Sequence, residues 1–88
     1  MTQRPIVLVT GASKGIGAAT ALAFAQAGYD ICVNYHRDSA GAADTVARCK
    51  DVGASAFAAR ADVADRAAVA QMFEACDATL GPLTCLVN

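Results

Sequence analysis

The run Ile6-Val-Leu-Val9 passes directly into Thr10-Gly-Ala-Ser-Lys-Gly-Ile-Gly17, and no other stretch of the chain restricts its fold as tightly. Four aliphatic residues without a polar interruption suit a strand buried on both faces, the environment of a parallel sheet. Three glycines, Gly11, Gly15 and Gly17, then stand where that strand must give way to a helix. Glycine loses more conformational freedom on folding than any other residue. Its concentration at this junction implies a backbone that turns sharply and is approached closely. From Gly15 onward the sequence is rich in alanine and free of proline, which predicts a helix over 15–27 stopped by Gly28 in the left-handed conformation.

The alternation continues along the chain. Ile31-Cys-Val33 reads as a second strand. Ser39 is placed to N-cap a second helix, with Val46 and Cys49 one turn apart on its apolar face and Gly53 past its end. Positions 54–61 read as a third strand, weakened by its alanines. Asp65 is a good N-cap for a third helix, where Val69, Met72, Phe73, Cys76 and Leu80 recur at helical spacing. Gly81-Pro82 ends that helix, and 83–87 starts a fourth strand. The expected fold class is therefore α/β, a doubly wound parallel sheet in the order β-α-β-α-β-α-β. Its helices lie on both faces, because each right-handed crossover carries its helix over the sheet.

Composition narrows the function classes. A formal net charge of −1 with 17% charged residues offers no basic excess for nucleic acid or an anionic membrane. Cys32, Cys49, Cys76 and Cys85 lack C-x-x-C spacing and lie in apolar surroundings, which points to free buried thiols in a reducing compartment. The apolar run before Gly11 is too short for a secretory or membrane segment, so a cytoplasmic location is expected.

In such a sheet, ligands bind beyond the carboxyl ends of the strands, where the strand order reverses, and the glycine loop occupies that place. Gly11 permits the turn off the strand, Gly15 lets a pyrophosphate approach without meeting a Cβ, and Gly17 lets the helix pack closely on the strand. The free N–H groups at the helix start, around Ile16, then face the phosphates. A Walker A loop would need Gly-Lys-Ser/Thr where Ile16-Gly17-Ala18 stands, and G-x-G-x-x-G fails because the third glycine would fall at Thr20. The pattern present is G-x-x-x-G-x-G.

On Thr10-Gly11-x-x-x-Gly15-x-Gly17, on Asp62-Val63 after the third strand, and on Leu86-Val87-Asn88 at the fourth, the chain resembles the classical short-chain dehydrogenase/reductase family. The match is collinear over essentially the whole chain. The resemblance implies that residues 1–88 are the N-terminal part of a single Rossmann-type dinucleotide-binding domain. It implies that the Asp62 carboxylate accepts from an adenine amino group, that Val63 packs on the ring, and that Asn88 opens the family's Asn-Asn-Ala-Gly segment. A second reading of Asp62, as a polar residue that merely ends a strand, stays open.

The end of the second strand bears on which dinucleotide is bound. An acid there accepts from a ribose 2′-hydroxyl and repels a 2′-phosphate, and in NAD-preferring members it would fall at about Tyr35. Here the segment is Asn34-Tyr35-His36-Arg37, with Asp38 the nearest carboxylate. By resemblance to NADP-preferring members, Ser13 and Lys14 reach the same phosphate from the other side. NADP(H) is therefore expected over NAD(H), against the alternative that Lys14, His36 and Arg37 are only solvated loop residues. His36, the single histidine, has no paired acid in an obvious orienting position, which favours a surface-loop or phosphate-contact role over catalysis.

The family's chemistry uses a Tyr-x-x-x-Lys pair, a serine and a further asparagine. Neither Tyr29 nor Tyr35 begins such a pair, since Val33 and Ser39 stand four residues on. No catalytic residue is expected among the 88, and the fourth strand would be an apolar sheet edge, so the chain is expected to be part of a longer enzyme and inactive alone. The leading expectation is an NADP(H)-dependent oxidoreductase interconverting a carbonyl and an alcohol, nearest to 3-oxoacyl-type ketoreductases and a homotetramer by resemblance. The alternative is a non-catalytic NADP-binding module.

Overall fold

A computed structural model describes residues 4–88. Met1, Thr2 and Gln3, which open the expected 1–88 unit, lie outside the described residues. Seven elements follow in strict alternation: β1 (Ile6–Val9), α1 (Gly15–Gln26), β2 (Asp30–Tyr35), α2 (Ser39–Asp51), β3 (Ala56–Arg60), α3 (Arg66–Thr79) and β4 (Cys85–Val87). The four strands pair only in parallel, in the order β3-β2-β1-β4. This is the expected doubly wound sheet, and the strand order reverses direction at β1, which therefore lies beside the topological switch point.

Alternate residues of the buried strands serve opposite faces. Val7, Val9, Ile31 and Val33 pack with Ala21 and Ala25 of α1 and with Ala42 and Cys49 of α2. Ile6, Leu8 and Cys32 face the other way, onto Met72 and Cys76 of α3. The two alanines on the inner face of α1 are small enough to let that helix lie close to the sheet. The stripe predicted for α3 is borne out, with Val69, Phe73 and Leu80 partly buried beside Met72 and Cys76. Burying one such aliphatic side chain stabilises the fold by roughly 1.5–3 kcal/mol, so this two-sided burial of β1 and β2 anchors the sheet.

The helix starts follow cap chemistry. Asp65 accepts hydrogen bonds from the Ala67 and Ala68 N–H groups at 3.0 and 3.2 Å, as expected. At α2, however, the cap is Asp38 and not Ser39. The Asp38 carboxylate accepts from the Gly41 N–H at 2.9 Å, and Ser39 is the first helical residue. Either residue type can cap, and the helix starts one residue earlier than a Ser39 cap would place it. A Cβ on Gly41 would collide with the Asp38 carboxylate and the Ser13 carbonyl, so only glycine lets the start of α2 nest against both.

β3 is shorter than the expected 54–61, because the Ala54 N–H turns back to the Cys49 carbonyl at the end of α2. All four cysteines are free, and Cys32, Cys49 and Cys76 are buried. Burial pushes all three of these thiols above their ordinary pKa. Cys85, expected to be buried like the others, is partly covered among the described residues. Among the described residues, no helix is long and apolar enough to cross a membrane.

Candidate nucleotide-binding site

The loop between β1 and α1 is shaped by its glycines. Gly11 and Gly15 adopt φ of 60° and 61°, a left-handed backbone that residues with a Cβ enter only at a cost. A Cβ at Gly15 would point into open space, which is the space a ligand needs. Gly17 has the opposite constraint. A Cβ there would run into the Gly11 carbonyl, so the third glycine exists to let α1 fold back on the loop.

The first turn of α1 is left open. Lys14 stands at the N-cap without a side-chain cap bond, no acidic residue lies in that turn, and Ile16 is 86% exposed. Ala18 makes a backbone bond to the Lys14 carbonyl at 3.3 Å, while the N–H groups of Gly15, Ile16 and Gly17 precede it. Three backbone donors, the positive end of the helix dipole and the Lys14 ammonium make a donor set that fits an anion such as a pyrophosphate. The observed loop has the left-handed glycines and the open helix start expected from its spacing.

Two buried polar residues hold the loop, and neither stood out in the sequence. Asn34, only 2% exposed, accepts from the Gly11 N–H at 3.1 Å and donates to the carbonyls of Ala59 and Ala61 at 3.3 and 3.2 Å. One amide therefore joins the glycine loop, β2 and the end of β3. The Ala12 N–H adds a backbone bond to the Asn34 carbonyl at 2.8 Å. Thr45 of α2, also 2% exposed, has its hydroxyl 2.9 Å from the Ala12 carbonyl and 3.1 Å from the Gly41 carbonyl. The available sequence signal was a polar residue inside each apolar pattern, Asn34 after Ile31-Cys-Val33 and Thr45 beside Val46.

Three grooves surround this edge of the sheet. The first, of about 350 Å³ between α1 and α2, is lined by Ser13, Lys14 and Gly15 with Thr45 and Arg48. The second, of about 390 Å³ at the tips of β2 and β3, is lined by Tyr35, His36, Arg37, Ser39 and Arg60. The third, of about 230 Å³ beside β1 and β4, brings Thr10, Val63 and Asn88 together with Leu86 and α3. Lys14 and Arg37, expected to act on one phosphate, line different grooves.

Thr10 ties the third groove to the loop, its hydroxyl donating to Asn88 Oδ1 at 3.0 Å. Val63 is 57% exposed, an apolar surface available to an aromatic ring. The Asp62 carboxylate accepts from the Ala64 N–H at 2.9 Å, and its other oxygen lies 4.0 Å from His36 Nε2. His36 therefore has an acid nearby after all. Residues 26 apart meet because parallel register pairs Tyr35 with Arg60 and brings both strand ends to the same edge.

Comparison with known proteins agrees with this geometry. Residues 5–88 match the family described as short chain dehydrogenase. The chain is 45% identical over 83 residues to the uncharacterized oxidoreductase YgfF of Escherichia coli K12, covering 94% of this chain and 34% of that protein. It is 42% identical over 81 residues to the 3-oxoacyl-[acyl-carrier-protein] reductase FabG of Staphylococcus aureus, covering 92% and 33%. The crystal structure of acetoin dehydrogenase from Enterobacter cloacae superimposes with a TM-score of 0.92 at 36% identity, covering 100% of this chain and 35% of that one. The chain thus spans about a third of the length of these proteins. With the sequence match running from the start of β1 through Asn88 and the parallel sheet superimposing along its whole length, the chain belongs to the short chain dehydrogenase family.

Proposed function

We propose that these residues form the NADP(H)-binding portion of an oxidoreductase that interconverts a carbonyl and an alcohol by hydride transfer. The observation that carries the cofactor preference is the fate of Asp38. It is the carboxylate nearest the tip of β2 in sequence, and it is committed to capping α2 through the Gly41 N–H. Tyr35 stands where an NAD-selecting acid would fall, and Arg37 is exposed in the adjoining groove. Nothing at that position repels a 2′-phosphate, and a guanidinium attracts one.

A bound nicotinamide dinucleotide supplies or accepts the hydride. The roles of this chain's own residues are binding and orientation. Gly11, Gly15 and Gly17 shape the loop, the N–H groups around Ile16 with Ser13 and Lys14 receive phosphate, and Asp62 and Val63 hold the adenine. Asn88 stands on the nicotinamide side of the switch point, where Thr10 orients its side chain. The serine, tyrosine and lysine of the reaction are proposed to come from sequence outside residues 1–88. The substrate is proposed to be a small carbonyl or alcohol compound, the assembly a homotetramer, and the location cytoplasmic, with no nucleic-acid or membrane partner.

A single charge-assisted hydrogen bond to the 2′-phosphate contributes about 1.5–3 kcal/mol. Arg37→Asp in the intact protein should therefore lower the NADP:NAD ratio of kcat/KM by about tenfold or more. A ratio that does not move would remove the assignment.

A further inference from the structure

We infer that Arg60 is a second guanidinium of the 2′-phosphate site and so a specificity-determining residue for the cofactor, an inference that rests on the NADP(H) reading above. Arg60 is the last residue of β3 and the register partner of Tyr35, the last residue of β2. Parallel register gives both side chains the face that carries Val33 and α2. Arg60 is exposed, yet its stem is anchored, because its Nε donates to the His36 carbonyl at 3.2 Å. That bond occupies one edge of the fork. Among the described residues the two Nη atoms have no hydrogen-bond partner, and no carboxylate lies within ion-pair distance of Arg60.

The groove that Arg60 enters holds Arg37 as well, with Tyr35, His36 and Ser39, and no carboxylate lines it. Asp62, two residues past Arg60, is turned to the Ala64 N–H and His36. Two guanidinium groups facing one acid-free groove repel each other until an anion enters. A phosphate monoester, with a charge of about −1.5 to −2 and three acceptor oxygens, satisfies both. Lys14, the other candidate cation, lies in the groove between α1 and α2. Arg60 is thus the cation placed to share a phosphate with Arg37.

The test compares 2′,5′-ADP with 5′-AMP, which differ by the 2′-phosphate alone, by calorimetric titration of the intact protein. Arg60→Gln should weaken 2′,5′-ADP about tenfold while 5′-AMP stays within about twofold. Arg60→Lys should recover part of the loss by restoring the charge without the fork. Equal weakening of both ligands, or no weakening of either, overturns the inference. Arg37→Gln separates the two levels of argument. If the wild type prefers 2′,5′-ADP and Arg37→Gln abolishes that preference while Arg60→Gln does not, the role of Arg60 alone is refuted. If the wild type shows no preference, the NADP(H) reading falls and takes the role of Arg60 with it.

Discussion

The loop after β1 is held by buried polar groups, whereas the tip formed by β2 and β3 carries its charges in solvent. Asn34 and Thr45, each 2% exposed, fasten the loop to three other segments. Arg37, Arg60 and His36 at the tip are exposed, and their contacts are an Arg60 bond to a backbone carbonyl and a 4.0 Å approach of His36 to Asp62. On the proposed NADP(H) reading, the difference matches two tasks. A pyrophosphate is common to both nicotinamide dinucleotides and rewards a preorganised cradle of fixed donors. Discrimination by a 2′-phosphate needs charge of one sign in reach, and exposed side chains supply that without a buried network. Substitutions in the loop should therefore cost stability and weaken both dinucleotides together, while substitutions at the tip should change their ratio and leave the fold intact.

The largest effect is expected at Gly17. Gly17→Ala places a methyl against the Gly11 carbonyl, a backbone atom that can yield only by displacing the loop. A loss of about 3 kcal/mol in urea unfolding is expected, the upper part of the range for overpacking. Full stability in that variant would show the loop to be far more pliable than its geometry implies. Asn34→Ala comes next, at about 2 kcal/mol, because it leaves the Gly11 N–H and two β3-end carbonyls without their side-chain partner. NADPH and NADH should weaken by the same factor in Asn34→Ala, and a selective loss of one would break the division between loop and tip.

Thr45→Val keeps the shape and removes the hydroxyl, which has one proton to share between two carbonyls. A loss of about 1 kcal/mol follows, readable as a small fall in Tm. Arg37→Asp should move stability least, within about 0.5 kcal/mol as for most surface substitutions, while producing the largest change in cofactor ratio. Destabilisation there comparable to that of Asn34→Ala would mean the tip is structural after all.

Much of this arrangement was legible from residue order. The apolar run Ile6-Val-Leu-Val9, the glycine spacing and the stripe from Val69 to Leu80 are local patterns, and each corresponds to an observed element. Asp65 was readable as a cap because its helix start has no rival. At α2 two adjacent residues of capping type stand in sequence, and only the structure shows that Asp38 caps, with Gly41 nested between its carboxylate and the Ser13 carbonyl.

What the sequence by itself determined is the order of elements, the two-sided burial of the inner strands and the place of the glycine turn between β1 and α1. These follow from side-chain periodicity and from the backbone freedom of glycine, both properties of a few consecutive residues. The tertiary structure alone decided that Asn34 reaches Gly11 and Ala61, that Thr45 reaches Ala12, that His36 meets Asp62, and that Arg60 rather than Lys14 shares a groove with Arg37. Those contacts join residues 23 to 33 positions apart in sequence. They exist because strand register and helix docking bring separate strand ends to one edge of the sheet, which no local pattern of residues encodes.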